Sequence, residues 1–476
     1  MNRLLACLAS AALVGSVAAA DPLVWPQFRG PNGSGVADGQ KPPTVLGPDK
    51  NVKWKVPVPN GFSSPIVVGD KLVLTAFDDG KLYTIAYDRA DGKVAWKIEA
   101  PAKKIELFYK QASSPASSTP ATDGQRIVSY FGSCGLICYD LSGKQLWQYE
   151  MPTAETFFGS GVSPIVADGL ALLVRDQFKD AKIVALDVVT GKVKWEKPRQ
   201  TATAYCTPVT WDANGEKQAV VAGHGRMVAY DLKSGEEKWH VKGMPSGCCT
   251  SPVAAEGALV FAGWSPGGPD DKDFQMPSFD SILKGGDTNK DGAIDRVEAK
   301  KTMIGDFFDV QDTDKDGKIT AAEWDAMTKM MADGKNGAFA VKPGASGDAT
   351  KSHVAWRKDK GGLPYLASAI AYRGKCFMVK DGGLVSALDL KTGAEVYPLK
   401  RALAPGQYWA SPVAANGKVY FTALEDGAVS VANAEGPALE VTKNPPLGEK
   451  VIATPAIADD TLYIRGEKHL YAFGEK

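Results

Sequence analysis

The stretch ALDVVTGKVKW, residues 185–195, reads as strand, tight turn and strand. Ala185 and Leu186 end an apolar run, Asp187 and Gly191 bracket a turn, and Trp195 stands in the next extended run. An Asp side chain can bond the backbone just ahead of it, and Gly accepts a positive φ, so the pair shapes the turn. The stretch recurs as AYDRADGKVAW ending at Trp96, CYDLSGKQLW at Trp147, AYDLKSGEEKW at Trp239 and ALDLKTGAEVY at Tyr397. An aromatic in the same place each time has the size to pack between neighbouring units.

A second signal sets the unit length. Ser/Thr-Pro pairs open a strand at Ser64-Pro65, Thr119-Pro120, Ser163-Pro164, Thr207-Pro208, Ser251-Pro252, Ser411-Pro412 and Thr454-Pro455, with Ser368-Ala369 as a degenerate copy. Their second residues step by 55, 44, 44, 44, 117, 43 and 43. Eight units of about 43 residues follow, with roughly 73 extra residues in the fifth. In the seventh, residues 410–441, Asn-Gly and Asp-Gly turns separate apolar, largely alternating runs, which predicts four short strands. Four strands per unit, eight times over, predict an all-β, eight-bladed β-propeller over 50–264 and 352–476. The chain ends one strand short of a blade at KHLYAF, while KNVKWKVPV near the start carries a docking-like Trp54 with no strands before it. The N-terminal strand should complete blade eight and remove the exposed sheet edges.

The A-x-D-x-x-T-G-x-x-x-W pattern resembles the tryptophan-docking repeat of the PQQ-type propellers, a superfamily that includes quinoprotein alcohol dehydrogenases and the BamB-type outer-membrane assembly protein. The resemblance covers essentially all of 50–476 outside the extra residues. It implies either a binding scaffold or a PQQ-dependent alcohol or sugar dehydrogenase. For the enzyme, Cys248-Cys249 in SGCCTSP resembles the vicinal disulfide that quinoproteins hold beside the quinone. Adjacent Cα atoms lie about 3.8 Å apart, below the usual disulfide range, so such a bridge is strained. The alternatives are two packed thiols, or bridges to other cysteines such as Cys206, and the six cysteines beyond Cys7 allow 15 full pairings. No motif matches the family's active-site Glu, Asn and Asp, and there is no C-x-x-C-H for haem. Trp264 and Trp409 are candidate stacking surfaces at the pore; His224, in the GHGR turn, is the most exposed of four histidines. Arg29 lies in WPQFRGPNGSG, within an N-terminal extension over 21–49 expected to cover blade edges.

The extra residues carry their own chemistry. DTNKDGAIDRVE, 287–298, puts Asp287, Asn289, Asp291, Asp295 and Glu298 at positions 1, 3, 5, 9 and 12 of an EF-hand loop, with Gly292 at 6 and the Ala293 carbonyl at 7. DTDKDGKITAAE repeats the register with Asp312, Asp314, Asp316, Gly317, Lys318, Thr320 and Glu323. Calcium is a hard cation that takes six to eight oxygens, and this spacing supplies them twice. An EF-hand pair over 275–335 is therefore expected in blade five. Only thirteen residues separate the loops, so one helix presenting Met303, Ile304, Phe307 and Phe308 is expected to serve both, in a structural or weak-sensor role. Since the insert follows the second strand of its blade, it should share a face with Cys248 and Cys249.

The opening MNRLLACLASAALVGSVAAADP has one Arg, an apolar run too short to span a membrane, and Ala18-x-Ala20 before Asp21. It reads as a signal peptide over 1–20 cleaved after Ala20, hence a secreted or periplasmic protein, with a lipoprotein at Cys7 as the alternative. Without it, 54 Lys and Arg face 55 Asp and Glu, which argues against nucleic acid. Residues 270–335 hold 16 acids against 10 bases, so the insert is acidic in a host of opposite sign. The sequence thus points to a monomeric calcium-binding scaffold for a protein or surface polymer, with the quinoprotein as the alternative.

Overall fold

Eight sheets, each with four antiparallel strands, follow one another along the chain, and the eighth joins its two ends; in blade four Gly347–Asp348 adds a parallel fifth strand. The computed structural model describes residues 25–156, 158–266, 276–302, 304–305, 308–332 and 334–475. The expected signal peptide, Met303 and Phe307 lie outside them. Blade eight is built from Ala456–Ala458, Thr461–Arg465, His469–Phe473 and, as its outer strand, Val52–Pro57. Trp54 pairs there with Ala472, so the first strand closes the ring as its isolated position predicted.

The repeat motif earns its residues at the seams. Each indole N–H reaches into the next blade: Trp54 donates to the Arg89 carbonyl at 2.8 Å, Trp96 to Leu141 at 3.0 Å, Trp147 to Val188 at 3.0 Å and Trp195 to Leu232 at 3.1 Å. The motif glycine lies against the ring of the blade before it. At Gly235, φ is +70° and an added Cβ would sit 2.3 Å from Trp195. Gly235→Ala should therefore cost about 2 kcal/mol, from overpacking plus a left-handed backbone, measured as a lower urea midpoint at unchanged slope. Trp239 departs from the rule: it is fully buried and donates to Gln218 within its own blade. The seam between blades five and six is filled by Trp356, which donates to the Leu390 carbonyl at 2.9 Å.

The Ser/Thr of each Ser/Thr-Pro pair has a different job. Its hydroxyl accepts the backbone N–H of the equivalent residue one blade earlier, as from Ser64 to Thr119 at 2.9 Å and from Thr454 to Ser64 at 2.9 Å. Seven such links run around the axis, with the hydroxyls of Thr119, Ser163, Thr207, Ser368, Ser411, Thr454 and Ser64 as acceptors. Proline follows because the next position needs no donor.

Residues 25–41 pair with inner blade edges, as with Val67 of blade one and Ala414 of blade seven. They cross the axial channel: Trp25 bridges to Val67 in blade one, Asn32 bonds Thr210 in blade four, Arg29 donates to Ala369 in blade six, and Val36 bridges to Ala414 in blade seven. Arg29 is fully buried, and burial pulls its guanidinium down to about 10. The segment is a plug across the lower part of the channel.

Blade five consists of Val253–Ala255, Ala258–Gly263, Gly337–Val341 and Val354–Lys358, with the insert between its second and third strands. The third strand starts ahead of the 352 boundary because GAFAV is flanked by the insert and a Gly-rich loop that mask its period. Within the insert, α1 covers Phe279–Gly286, α2 Arg296–Ala299, α3 Phe308–Gln311 and α4 Ala321–Ala332. Among the described residues, the single helix expected between the loops is replaced by the short helices α2 and α3. After Ala299 the backbone tightens, with Lys301 N–H on the Glu298 carbonyl and Thr302 N–H on Ala299. The two loops pair through a short antiparallel ladder, Ile294 opposite Ile319. Phe279, Ile282, Ile294, Ala299, Ile304, Phe308, Ile319 and Trp324 form a separate small core.

Candidate functional site

The plug and the insert enclose the upper channel between them. The cavity is about 620 Å³, with Phe28 of the plug at its base and Ser64, Thr119, Ser163, Thr207, Ser368, Ser411 and Thr454 of the hydroxyl ring around it. Met276, Gln311, Trp324, Met327 and Met331 of the insert form its roof. Phe62, Phe158, Tyr205, Tyr365 and Trp409 supply aromatic walls. Cys249 lines the same cavity, so the insert and the cysteine pair do share a face. Trp264 stands behind the wall, edge-to-face on Tyr365 at 5.4 Å. His224 does not take part; its Nδ1 is held by the Ser246 carbonyl at 2.7 Å.

Among the described residues the lining carries no Lys, Arg, His, Asp or Glu. PQQ is a tricarboxylate, and desolvating three carboxylates without a countercharge is prohibitive. The quinone does not fit this lining. The vicinal cysteines also part company: Cys249 turns to the cavity, while Cys248 is buried with its Sγ 3.3 Å from that of Cys206 on blade four.

The acidic loops are shaped alike. Lys290 and Lys315 take φ of 61° and 63°, and Gly292 and Gly317 take 81° and 87°. Glu298 accepts the N–H groups of Thr288, Asn289 and Asp295; the Asp295 amide leads in holding its carboxyl below the usual range. Glu323 does the same with Thr313 and Thr320. The second loop gathers Asp312, Asp314 and Glu323 with carboxylate oxygens all within 4.8 Å of one another. Asp312 is only 6 % exposed, and its Oδ1 has no hydrogen-bond partner. A buried, unpartnered carboxylate oxygen among others is the donor set a hard cation satisfies. In the first loop, Asp291 is engaged by Lys318 at 2.8 Å. Gln311 and Trp324, each next in sequence to a member of the second cluster, reach the cavity roof.

The sequence did not single out Met276, the plug residue Phe28 or Trp356. Trp324, Met327 and Met331 leave the second loop at helical spacing, which marks a helix but not the cavity it covers.

Comparison with known proteins bears on the host fold. The profile described as "Outer membrane protein assembly factor BamB" matches residues 85–247 and 333–476, skipping the insert. A protein of that name from Burkholderia pseudomallei is 26% identical over 204 residues, 41% of this chain and 49% of its own length. One from Nitrosomonas eutropha is 24% identical over 197 residues, 39% and 43% of the two. The chain thus spans about half the length of these curated relatives. Among solved structures, BamB from Moraxella catarrhalis aligns with a TM-score of 0.55 at 12% identity, covering 89% of this chain and 96% of its own. A quinohemoprotein alcohol dehydrogenase from Pseudomonas putida HK5 aligns with a TM-score of 0.56 at 11% identity, covering 95% and 80%. Likeness at such identity carries the fold alone. No helix among the described residues is long and apolar enough to cross a membrane. With its profile matched across both halves of the ring, the chain belongs to the PQQ-repeat β-propeller family of the outer membrane protein assembly factor BamB.

Proposed function

We propose that the protein is an extracytoplasmic, calcium-binding scaffold whose axial cavity receives an uncharged, aromatic or aliphatic segment of a partner protein. The observation that carries this reading is the uncharged cavity of about 620 Å³ roofed by three methionines and Trp324. Met side chains adapt to irregular apolar guests, and the hydroxyl ring and Gln311 offer hydrogen bonds to a guest backbone. Family membership supports a protein partner, and the A-x-A opening supports export. The second loop is the tighter calcium site, since it holds the clustered carboxylates, whereas the first must free Asp291 from Lys318. Extracellular sites of this type work at roughly 0.1 to 1 mM.

The experiment is a calorimetric titration with calcium, repeated with PQQ and with the neutral fluorescent probe N-phenylnaphthylamine. Two calcium events, no heat from PQQ and saturable probe fluorescence are expected. Glu323→Gln should weaken the tighter calcium event at least tenfold, and Trp409→Glu should weaken the probe by a similar factor. A stoichiometric PQQ heat would instead favour the quinoprotein.

A further inference from the structure

We propose that Cys206 and Cys248 form a disulfide that joins blade four to blade five beneath the insert. This rests on the extracytoplasmic reading above, since such bonds persist where the surroundings are oxidising. The geometry is particular to this seam. Cys206 precedes Thr207-Pro208 and Cys248 precedes Ser251-Pro252, so each lies on the segment leading into its blade's inner strand. The Tyr205 N–H donates to the Cys248 carbonyl at 2.9 Å, which fixes the two segments side by side. The sulfurs stand 3.3 Å apart, and both residues are 1 % exposed. The covalent length is about 2.05 Å, so the sulfurs already stand close to bonding distance. The adjacent pair offers no such route, because Cys249 points to the cavity and its Sγ contacts the Gly247 carbonyl.

The seam is tied at its outer edge, where Gly347 and Asp348 pair with Trp239 and His240, and lacks the usual link at the axis. At the seven positions around the ring where a hydroxyl takes the preceding blade's N–H, the blades are tied by that hydrogen bond, and the step from Thr207 to Ser251 is not among them. Blade five also carries the insert between its second and third strands. The chemistry is a two-electron oxidation. The two thiols lose two protons and two electrons, the S–S bond forms, and the disulfide of a thiol–disulfide oxidant is cleaved to two thiols. Burial raises the Cys206 thiol well above its ordinary value, so this sulfur presents little thiolate in the folded protein. Exchange therefore takes place while the blades dock, and the finished bond resists reductant until the seam opens.

The test is peptide mapping without reductant on protein secreted to an oxidising compartment, and in parallel on protein refolded with oxidised glutathione. Free thiols are alkylated in denaturant first. The expected product links the peptides carrying Cys206 and Cys248, 2 mass units below the sum of the reduced peptides, with Cys249 alkylated. Reduction in denaturant and refolding with blocked thiols should lower Tm by about 5 °C or more, for a closed loop of this length. A Cys206→Ser/Cys248→Ser double variant should start at the lower Tm and ignore reductant. A Cys248–Cys249 link, or alkylation of both Cys206 and Cys248 after refolding with oxidised glutathione, overturns the proposal. A bond made on refolding but absent from the secreted protein supports the pairing and overturns the oxidising location.

Discussion

Arg199→Met is expected to remove about 3–5 kcal/mol of stability, the largest loss from any single substitution considered. Arg199 ends blade three and sits within the protein at 7 % exposure. Its Nε and Nη2 donate to the two oxygens of Asp176 at 2.6 and 2.9 Å, and its Nη1 donates to the Tyr230 hydroxyl of blade four at 2.8 Å. Burial works against the guanidinium charge, and Asp176 and Tyr230 outweigh it, so the group stays protonated. Both partners have been taken out of water, and the bidentate geometry is what offsets that cost. Methionine fills much of the volume but leaves the Asp176 carboxylate buried with no countercharge. The carboxylate must then take up a proton or draw in water, and either weakens the seam between blades three and four. Urea unfolding followed by tryptophan fluorescence reads the loss. Adding Asp176→Leu should restore part of it, because an apolar pair has no charge to desolvate. A loss under about 1 kcal/mol for Arg199→Met would mean that water already reaches the pair and that the seam does not depend on it.

Such seams decide how much of this protein a reader of the sequence can recover. The D-x-x-T-G turn and its Trp are local: Asp187 bonds the N–H and hydroxyl of Thr190, both at 2.9 Å, and that arrangement is written within four residues. Ring closure was legible for a similar reason, since a lone Trp54 strand and a truncated last blade complement each other. The plug was not. Residues 25–41 have no strand or helix period, and what holds them are bonds to blades one, two, four, six and seven, known only once the ring has formed. Trp356 escaped because its blade lacks the Asp-Gly turn that marks the other copies. The single helix between the loops was not borne out: just after Ala299 the Lys301 and Thr302 N–H groups bond three residues back, a local tightening that the spacing of apolar residues does not reveal. The acidic loops were legible residue by residue, whereas their location above an apolar chamber depends on a sheet topology that periodicity does not encode.

That location places the acidic cluster beside the cavity. Gln311 lines the roof and Asp312 belongs to the carboxylate cluster; Glu323 belongs to the cluster and Trp324 lines the roof. On the proposed function, a cation drawing Asp312 and Glu323 together would act on side chains one residue away from the cavity roof. The acidic insert is joined to its basic host partly by Lys315, 3.5 Å from Glu155 on blade three. Family membership fixes the ring and leaves the guest to these local features.

Glu106→Gln is expected to stabilise the protein by about 3 kcal/mol at pH 8 while leaving it unchanged near pH 4.5. Glu106 is 2 % exposed, its Oε1 has no hydrogen-bond partner, and burial pushes its carboxyl up to about 7 from an ordinary 4.5. Ser160 donates to its Oε2 at 2.7 Å and works the other way, as does the charge of Arg175; Tyr130 and Cys134 are the other titratable groups near it. Between pH 4.5 and about 7 the folded protein keeps a proton that the unfolded chain has released, so stability falls as pH rises through that window. Below 4.5 both states hold the proton, and above about 7 neither does. The difference between the two proton affinities corresponds to about 3 kcal/mol. Glutamine is neutral throughout and can still accept from Ser160, so the gap between variant and wild type should open across this window and then stay constant. Taking the difference between the two curves cancels the other carboxylates, such as Asp187 and Asp348, which are held below their ordinary range and push stability the opposite way. Parallel curves from pH 4.5 to 8 would mean that Glu106 is ionised in the folded protein and solvated by water. The same window should be visible at the cavity. Ser160 lies between Gly159 and Gly161 of its wall, and the loop after Glu106 supplies Ala112, Ser113 and Ser117. Ionising Glu106 forces that wall to admit water, so N-phenylnaphthylamine should bind the wild type several-fold more weakly at pH 8 than at pH 5, and Glu106→Gln equally at both.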